Sequence, residues 1–367
     1  MTSAGLYIHI PFCRSRCSYC DFATGLYESE LADRYVSAVV NEIDSSPVAG
    51  ANVDTIYFGG GTPSLLEPSQ IERILTAVRD RFDVAPESEI TLEINPGSIT
   101  ETKLRAFRQL GVNRASFGAQ TFDDRELAKL GRSHTADDTR RTFHDLRAAG
   151  FDNVSFDLIA GLPGQTLDGW ERNVNEALEL RPEHLSFYLL EVHSGTPLAQ
   201  HIQRGLQPQP DEDLAAVMYE QMLESAAEAG YEHYEISNLC RPGFESRHNT
   251  KYWTGAPYFG FGCSSHSYDG EFRRWSNHRD TLKYVESVEH GFSPISEKQF
   301  LTESDVKAES LFLGLRLMRG VNVNLCKDYE TDLERFREAG LLELDGDCVR
   351  LTRNGALLSN EVFSAFV

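Results

Sequence analysis

PFCRSRCSYCDF (residues 11–22) follows directly on the apolar run LYIHI (6–10) and carries a C-x3-C-x2-C array made by Cys13, Cys17 and Cys20. Three thiolates within eight residues can grip one metal centre. They fall one short of the four cysteines that usually hold an iron–sulfur cluster. A [4Fe–4S] cluster bound by three cysteines keeps one iron open to an outside ligand, as a catalytic metal site keeps an open position. The alternative is a structural zinc knuckle, which no nearby fourth ligand completes. Cys13, Cys17 and Cys20 are therefore the expected metal ligands.

Outward from this stretch, short strand-like runs alternate with longer helical patterns. LYIHI (6–10), TIYF (55–58), EITLEI (89–94), RASFGAQ (114–120), NVSFDLI (153–159) and HLSFYLLEV (184–192) are rich in branched and aromatic residues, with charges mostly at their ends. Helical patterns cover 30–44, 69–81, 101–110, 136–149, 167–180 and 212–229. Gly111, Gly150 and Gly230 each stand just past such a run, where a left-handed cap is needed. Six strand–helix units in series predict an α/β fold with a parallel sheet, because each strand is re-entered from the same end. Pattern alone does not separate an open barrel from a flat doubly wound sheet.

Beyond residue 230 the rhythm changes. YEISNL and YFGFGCSSHS read as strands around a loop, followed by helices near 303–318 and 325–339. LLELDGDCVRLT reads as a hairpin turning at Asp345-Gly346, and a last helix is expected over 354–366. This suggests a C-terminal α+β region ending in a small winged-helix-like module. Because the module is acidic, packing or partner docking is a better expectation for it than DNA binding. The expected division is residues 1–230 for the barrel and 231–367 for the C-terminal domain.

The bulk numbers exclude several classes. With 367 residues, 41% hydrophobic and 25% charged, the chain has room for one large domain and a smaller one. A formal charge of −21 argues against a nucleic-acid partner and against adhesion to anionic lipid. MTSAGLYIHIPF is not a signal peptide, and no apolar run approaches the roughly 18 residues that span a bilayer. Membrane contact is thus expected to be peripheral at most. Seven cysteines without a disulfide-like lattice fit the cytoplasm.

In a parallel barrel the working groups gather where strands end. Gly59-Gly60-Gly61-Thr62-Pro63 follows TIYF, and glycines let the backbone approach a ligand closely. Glu93 lies at the end of EITLEI, one residue before Ile94, Gln120 ends RASFGAQ, Asp157 lies in FDLIAGLPGQT and Arg132 in LGRSH. Such polar residues are poor core fillers and good ligand contacts, with an ordinary salt bridge or strand cap as the alternative for each.

The cysteine spacing resembles that of the radical S-adenosylmethionine (SAM) superfamily. YIHIPFC, CxYCDF, FGGGTPS, LEINPGS, RxSFGAQ, LGRSH, FDLIAGLPGQT and HNTKYW, in this order, resemble the HemN/HemW family. That family comprises oxygen-independent coproporphyrinogen III oxidases and a haem-chaperone branch. The resemblance implies a partial (β/α)6 barrel and a [4Fe–4S] cluster whose open iron takes SAM. It further implies that Tyr7, Tyr19, Gly60, Gly61, Thr62, Glu93, Gln120, Arg132 and Asp157 line the SAM site.

Three features favour the chaperone branch. Phe22 stands where the oxidases typically carry a fourth cysteine, only 12 residues precede Cys13, and His248-Asn249-Thr250-Lys251-Tyr252-Trp253 reproduces the HNxxYW motif associated with haem binding. A neutral imidazole can ligate haem iron and the aromatic pair can face a macrocycle, so His248 is the expected haem ligand. The alternative is a buried aromatic corner; His266 and Cys263 are fallback ligands, and His9 is expected to be structural. The resemblance therefore implies a haem chaperone that passes haem to acceptor proteins, with an electron donor the sequence does not identify. The rival is the oxidase itself, which decarboxylates coproporphyrinogen propionates to vinyl groups through a SAM-derived radical.

Overall fold

The computed structural model describes residues 2–366. Six strands, Ala4–Ile10 (β1), Asn52–Gly60 (β2), Asp83–Ile94 (β3), Arg114–Gln120 (β4), Val154–Ala160 (β5) and His184–Leu189 (β6), pair in order and all in parallel. Helices return the chain between them. Helix Pro68–Arg81 shows why: proline occupies its first turn, a Glu67–Gln70 capping box closes its start, and Ile71, Ile74, Leu75 and Val78 turn one apolar stripe onto the sheet. Helix Leu167–Leu180 instead ends at Arg181 in the left-handed conformation.

The partial barrel is present and is embedded in a larger sheet than six strands. Glu232–Glu235 (β7), Asn238–Cys240 (β8), Tyr258–Phe261 (β9), His266–Tyr268 (β10), Arg273–Asn277 (β11) and Ile295–Phe300 (β12) complete a twelve-stranded sheet. β9 lies parallel on the free edge of β1, and β10, β11 and β12 continue from it antiparallel. At the other edge β8 pairs antiparallel with β6 and β7 with β8. The expected strand 184–192 stops at Leu189, and Leu190 already donates its amide to Ala160 O across the strand end.

One apolar core runs from Ala4 through the barrel to Val285, so residues of β9 and of helix Thr281–Glu289 pack with the barrel. A second core, from Leu311 to Phe366, fills the C-terminal module. Its sheet orders Val321–Asn322 (β13), Cys348–Leu351 (β15) and Leu342–Asp345 (β14). Asp345 pairs with Cys348, so the turn is Gly346-Asp347, one residue later than expected, with Gly346 at φ 59°. The helix expected over 303–318 spans Glu303–Gly314. The one expected over 325–339 is a 3-10 segment, Val323–Tyr329, followed by helix Glu330–Glu338. The last helix breaks into Arg353–Leu357 and Ser359–Phe363 where Leu358 leaves the helical region (φ −103°, ψ 27°). Among the described residues no helix is long and apolar enough to cross a membrane.

Candidate functional site

Alternation along the barrel strands builds the site. Side chains two apart share a face, so Arg114, Ser116, Gly118 and Gln120 of β4, Ser186 and Tyr188 of β6, and Asp157 and Ile159 of β5 line one cavity. Tyr57, Glu93 and Asn95 complete its wall. The cavity holds about 550 Å³ and runs from Cys13, Cys17 and Cys20 at the strand ends down to Asn249 on helix Arg247–Trp253.

The cysteine loop is tied to the strand ends by side chains. Arg132 donates to Cys17 Sγ (3.4 Å), to Asn95 Oδ1 (2.8 Å) and to Gly118 O (2.8 Å). Asn95 Nδ2 donates to Thr62 Oγ1 (2.9 Å), and the Thr62 hydroxyl donates to Cys13 Sγ (3.8 Å). A continuous chain of polar contacts thus joins two of the three thiols. All seven cysteines are free. Among the described residues no three ligating side chains are close enough to hold a single metal ion.

Tyr19, Gly60, Gly61, Glu93, Gln120, Arg132 and Asp157 all face this cavity, whereas Tyr7 and Thr62 do not line it. Thr62 is 1% exposed and acts on Cys13 from behind. Tyr7 lies beneath the wall, hydrogen-bonded to His9 Nδ1 (3.1 Å) and stacked on Tyr57. Gly60 sits at φ 109°, and a Cβ there would meet the His9 ring at 2.4 Å, so only glycine fits this corner. Its amide donates to Glu93 Oε2 (3.0 Å), while the Tyr57 hydroxyl donates to Glu93 Oε1 (2.7 Å). Burial nevertheless pushes the Glu93 carboxyl up to about 7, because desolvation outweighs two donors. Burial raises Asp157 too, against hydrogen bonds from Ser186 and Ser116 and the charges of Arg114 and Arg132. Gln120 holds φ 64°, one of three non-glycine residues at positive φ among the described residues. Such strain is found where surrounding structure imposes a geometry.

His248 is placed differently from an open ligand. It is 1% exposed, its Nδ1 hydrogen-bonded to Thr55 Oγ1 (2.9 Å) and its Nε2 to the Tyr252 hydroxyl (2.9 Å). Its ring stacks on Tyr57 at 5.2 Å. Burial first, then the charges of Lys251 and Arg114, pull its pKa down to about 3, so the imidazole is neutral. In this conformation both ring nitrogens are engaged, and the neighbour Asn249 is the residue of the motif that faces the cavity. Cys263 is buried between Tyr35 and Thr281, and His266 is exposed on β10; neither lines the cavity. His9 is buried, bonded to Tyr7 and to Ala23 O.

Sequence reasoning missed Asn95, Arg114, Ser116, Ser186, Tyr188 and Asn249. Their signal was the two-residue spacing of polar groups inside apolar strands, visible in RASFGAQ and HLSFYL. Asn95 sits inside the quoted LEINPGS motif.

Similarity to known proteins agrees with this geometry. Residues 7–177 match the Radical SAM superfamily and residues 301–358 match the HemN C-terminal domain. The chain is similar to heme chaperone HemW of Bacillus subtilis (37% identical, covering 98% of both chains). It is also similar to heme chaperone HemW of Escherichia coli (31% identical, covering 99% of this chain and 97% of that one). Its fold matches the solved structure of E. coli coproporphyrinogen III oxidase, HemN, with a TM-score of 0.87 at 23% identity, over 100% of this chain and 90% of that one. Identity at this level along the full length settles the lineage: the chain belongs to the HemW family of the radical SAM superfamily.

Proposed function

We propose that this protein is a haem chaperone: it binds haem, carries a [4Fe–4S] cluster with SAM, and hands haem to acceptor proteins. The observation that carries the reading is full-length similarity to curated haem chaperones. Phe22, standing in place of a fourth cysteine, supports it; the residue is 67% exposed and lines the cavity. Cys13, Cys17 and Cys20 are the proposed cluster ligands. Glu93, Gln120, Arg132 and Asp157 offer a carboxylate, an amide and a guanidinium fork to the ammonium, ribose and carboxylate of SAM. Tyr19, Gly60 and Gly61 shape the wall, while Tyr7 and Thr62 support it from outside the lining. When bound, the cluster supplies the electron that SAM chemistry needs. The residues around it bind, orient and exclude water.

His248 is the proposed haem ligand through a conformation in which the Tyr252 hydroxyl leaves Nε2. The seven free thiols fit work in a reducing cytoplasm. We place the functional division near residue 230 on the change in strand pattern, with β9 shared between the halves. The oxidase reading is tested by anaerobic incubation of the reconstituted protein with coproporphyrinogen III, SAM and a reductant. A haem chaperone leaves the substrate unconverted; sustained formation of protoporphyrinogen overturns the proposal.

A further inference from the structure

The cavity wall contains a guanidinium that forms no salt bridge with the thiols or with the carboxylates proposed to face SAM. Arg114 opens β4 and is 1% exposed. Its Nε is buried without a partner. Glu93 and Asp157 feel its charge only through space, since their hydrogen bonds go to Tyr57 and Gly60 and to Ser186 and Ser116. A guanidinium does not shed its proton inside a protein and carries five donors in a rigid fork. Burying a donor of such a group without a hydrogen-bond partner is costly. Arg114 lines the cavity, where Asn249 of the HNxxYW helix also stands.

This combination fits a carboxylate, which a guanidinium fork and an amide receive well. Two sources offer one: the methionyl end of SAM and a propionate of a tetrapyrrole. Arg114 and Gln120 begin and end β4, so their Cα atoms are roughly 20 Å apart along the strand. The cysteine loop, where the amino-acid end of SAM is needed, lies at the Gln120 end and already has Arg132. Arg114 starts at the other end, close enough to His248 for its charge to depress that imidazole. We propose that Arg114, assisted by Asn249, is the carboxylate-binding site of the lumen and receives a propionate of the haem cargo. The assignment rests on the haem-carrier reading and adds to it the residue that recognises the acidic edge of the macrocycle.

The test compares ferric haem with its dimethyl ester, titrated into the reconstituted full-length protein and followed by absorbance. Wild type is expected to favour the free acid by about tenfold or more. Arg114→Gln is expected to lower haem affinity to that of the ester while leaving affinity for the ester unchanged; SAM affinity is compared at about pH 8.5, where Glu93 is ionised even without the Arg114 charge, and is expected to match wild type there. Arg114→Lys should retain part of the preference, as a point charge without the fork. Equal binding of acid and ester by wild type overturns the assignment, and needs no variant to fold. A loss of SAM affinity in Arg114→Gln at that pH, with the acid preference intact, gives the site to SAM instead and overturns the assignment. If wild type binds neither haem nor ester, the haem-carrier reading itself fails.

Discussion

Glu93 shows how far a single residue's behaviour follows from its surroundings. Two donors hold its oxygens, yet full burial leaves it titrating at about 7. A carboxylate that is to receive the ammonium of SAM must be ionised, so its protonation competes with binding. SAM affinity is predicted to rise with pH through about 7 and to fall up to roughly tenfold per unit below it. Glu93→Gln should bind SAM weakly and with no such slope; an unchanged slope in that variant removes Glu93 from the site. Each of Cys13→Ser, Cys17→Ser and Cys20→Ser is predicted to abolish the visible absorption of the cluster after reconstitution, and retention of a full [4Fe–4S] spectrum contradicts the three-ligand reading. The cysteines could be read from spacing because their chemistry is local. Arg114 could not, because an arginine opening a strand reads as a solvated end until the barrel closes around it. His248 was legible as important but not in its present posture, since Thr55, its partner, lies 193 positions away.

At the scale of elements, helix Arg247–Trp253 is a plug fastened from several sides. Glu89 of β3 accepts the amides of Arg247 (3.1 Å) and His248 (3.0 Å), satisfying two donors that the start of a helix leaves free. Lys251 pairs with Asp54 and donates to Ser3 O. Arg316, from the region of the C-terminal module, lies 4.2 Å from the Trp253 ring. Glu89→Ala is predicted to cost about 2 kcal/mol of stability by leaving the buried His248 amide and the half-buried Arg247 amide unpaired, read as a lower urea midpoint at unchanged slope. A midpoint equal to wild type means the helix is held by its other contacts alone. Tyr252→Phe frees His248 Nε2 and is predicted to tighten haem binding several-fold if the hydroxyl holds the ring closed; weaker binding assigns the tyrosine to the haem contact itself. The six strand–helix units were legible because each repeats the same local pattern. The place of β9 beside β1 was not, because pairing between strands so far apart in sequence leaves no periodic trace.

For the whole molecule, Glu42 joins the first helix to the segments that follow β9. Its carboxylate accepts the Gly262 amide (2.9 Å), the Tyr284 hydroxyl (2.6 Å) and Asn277 Nδ2 (2.6 Å), and burial pushes it up to about 7. A carboxyl whose folded pKa is raised binds more protons folded than unfolded between about 4.5 and 7, so stability falls as pH rises through that window. The loss through Glu42 is on the order of 3 kcal/mol. Denaturation at pH 5 to 8 should therefore show the wild-type advantage over Glu42→Gln shrinking with rising pH; a constant difference contradicts the assignment.

The central claim, that this barrel carries haem instead of converting a porphyrinogen, is tested most directly by haem transfer. The reconstituted protein is loaded with haem, freed of excess, and mixed with a haem-depleted acceptor whose bound spectrum is distinct. The account predicts stoichiometric loading followed by transfer of most of the haem to the acceptor. Failure to load, or haem held with no passage to any acceptor, would contradict it.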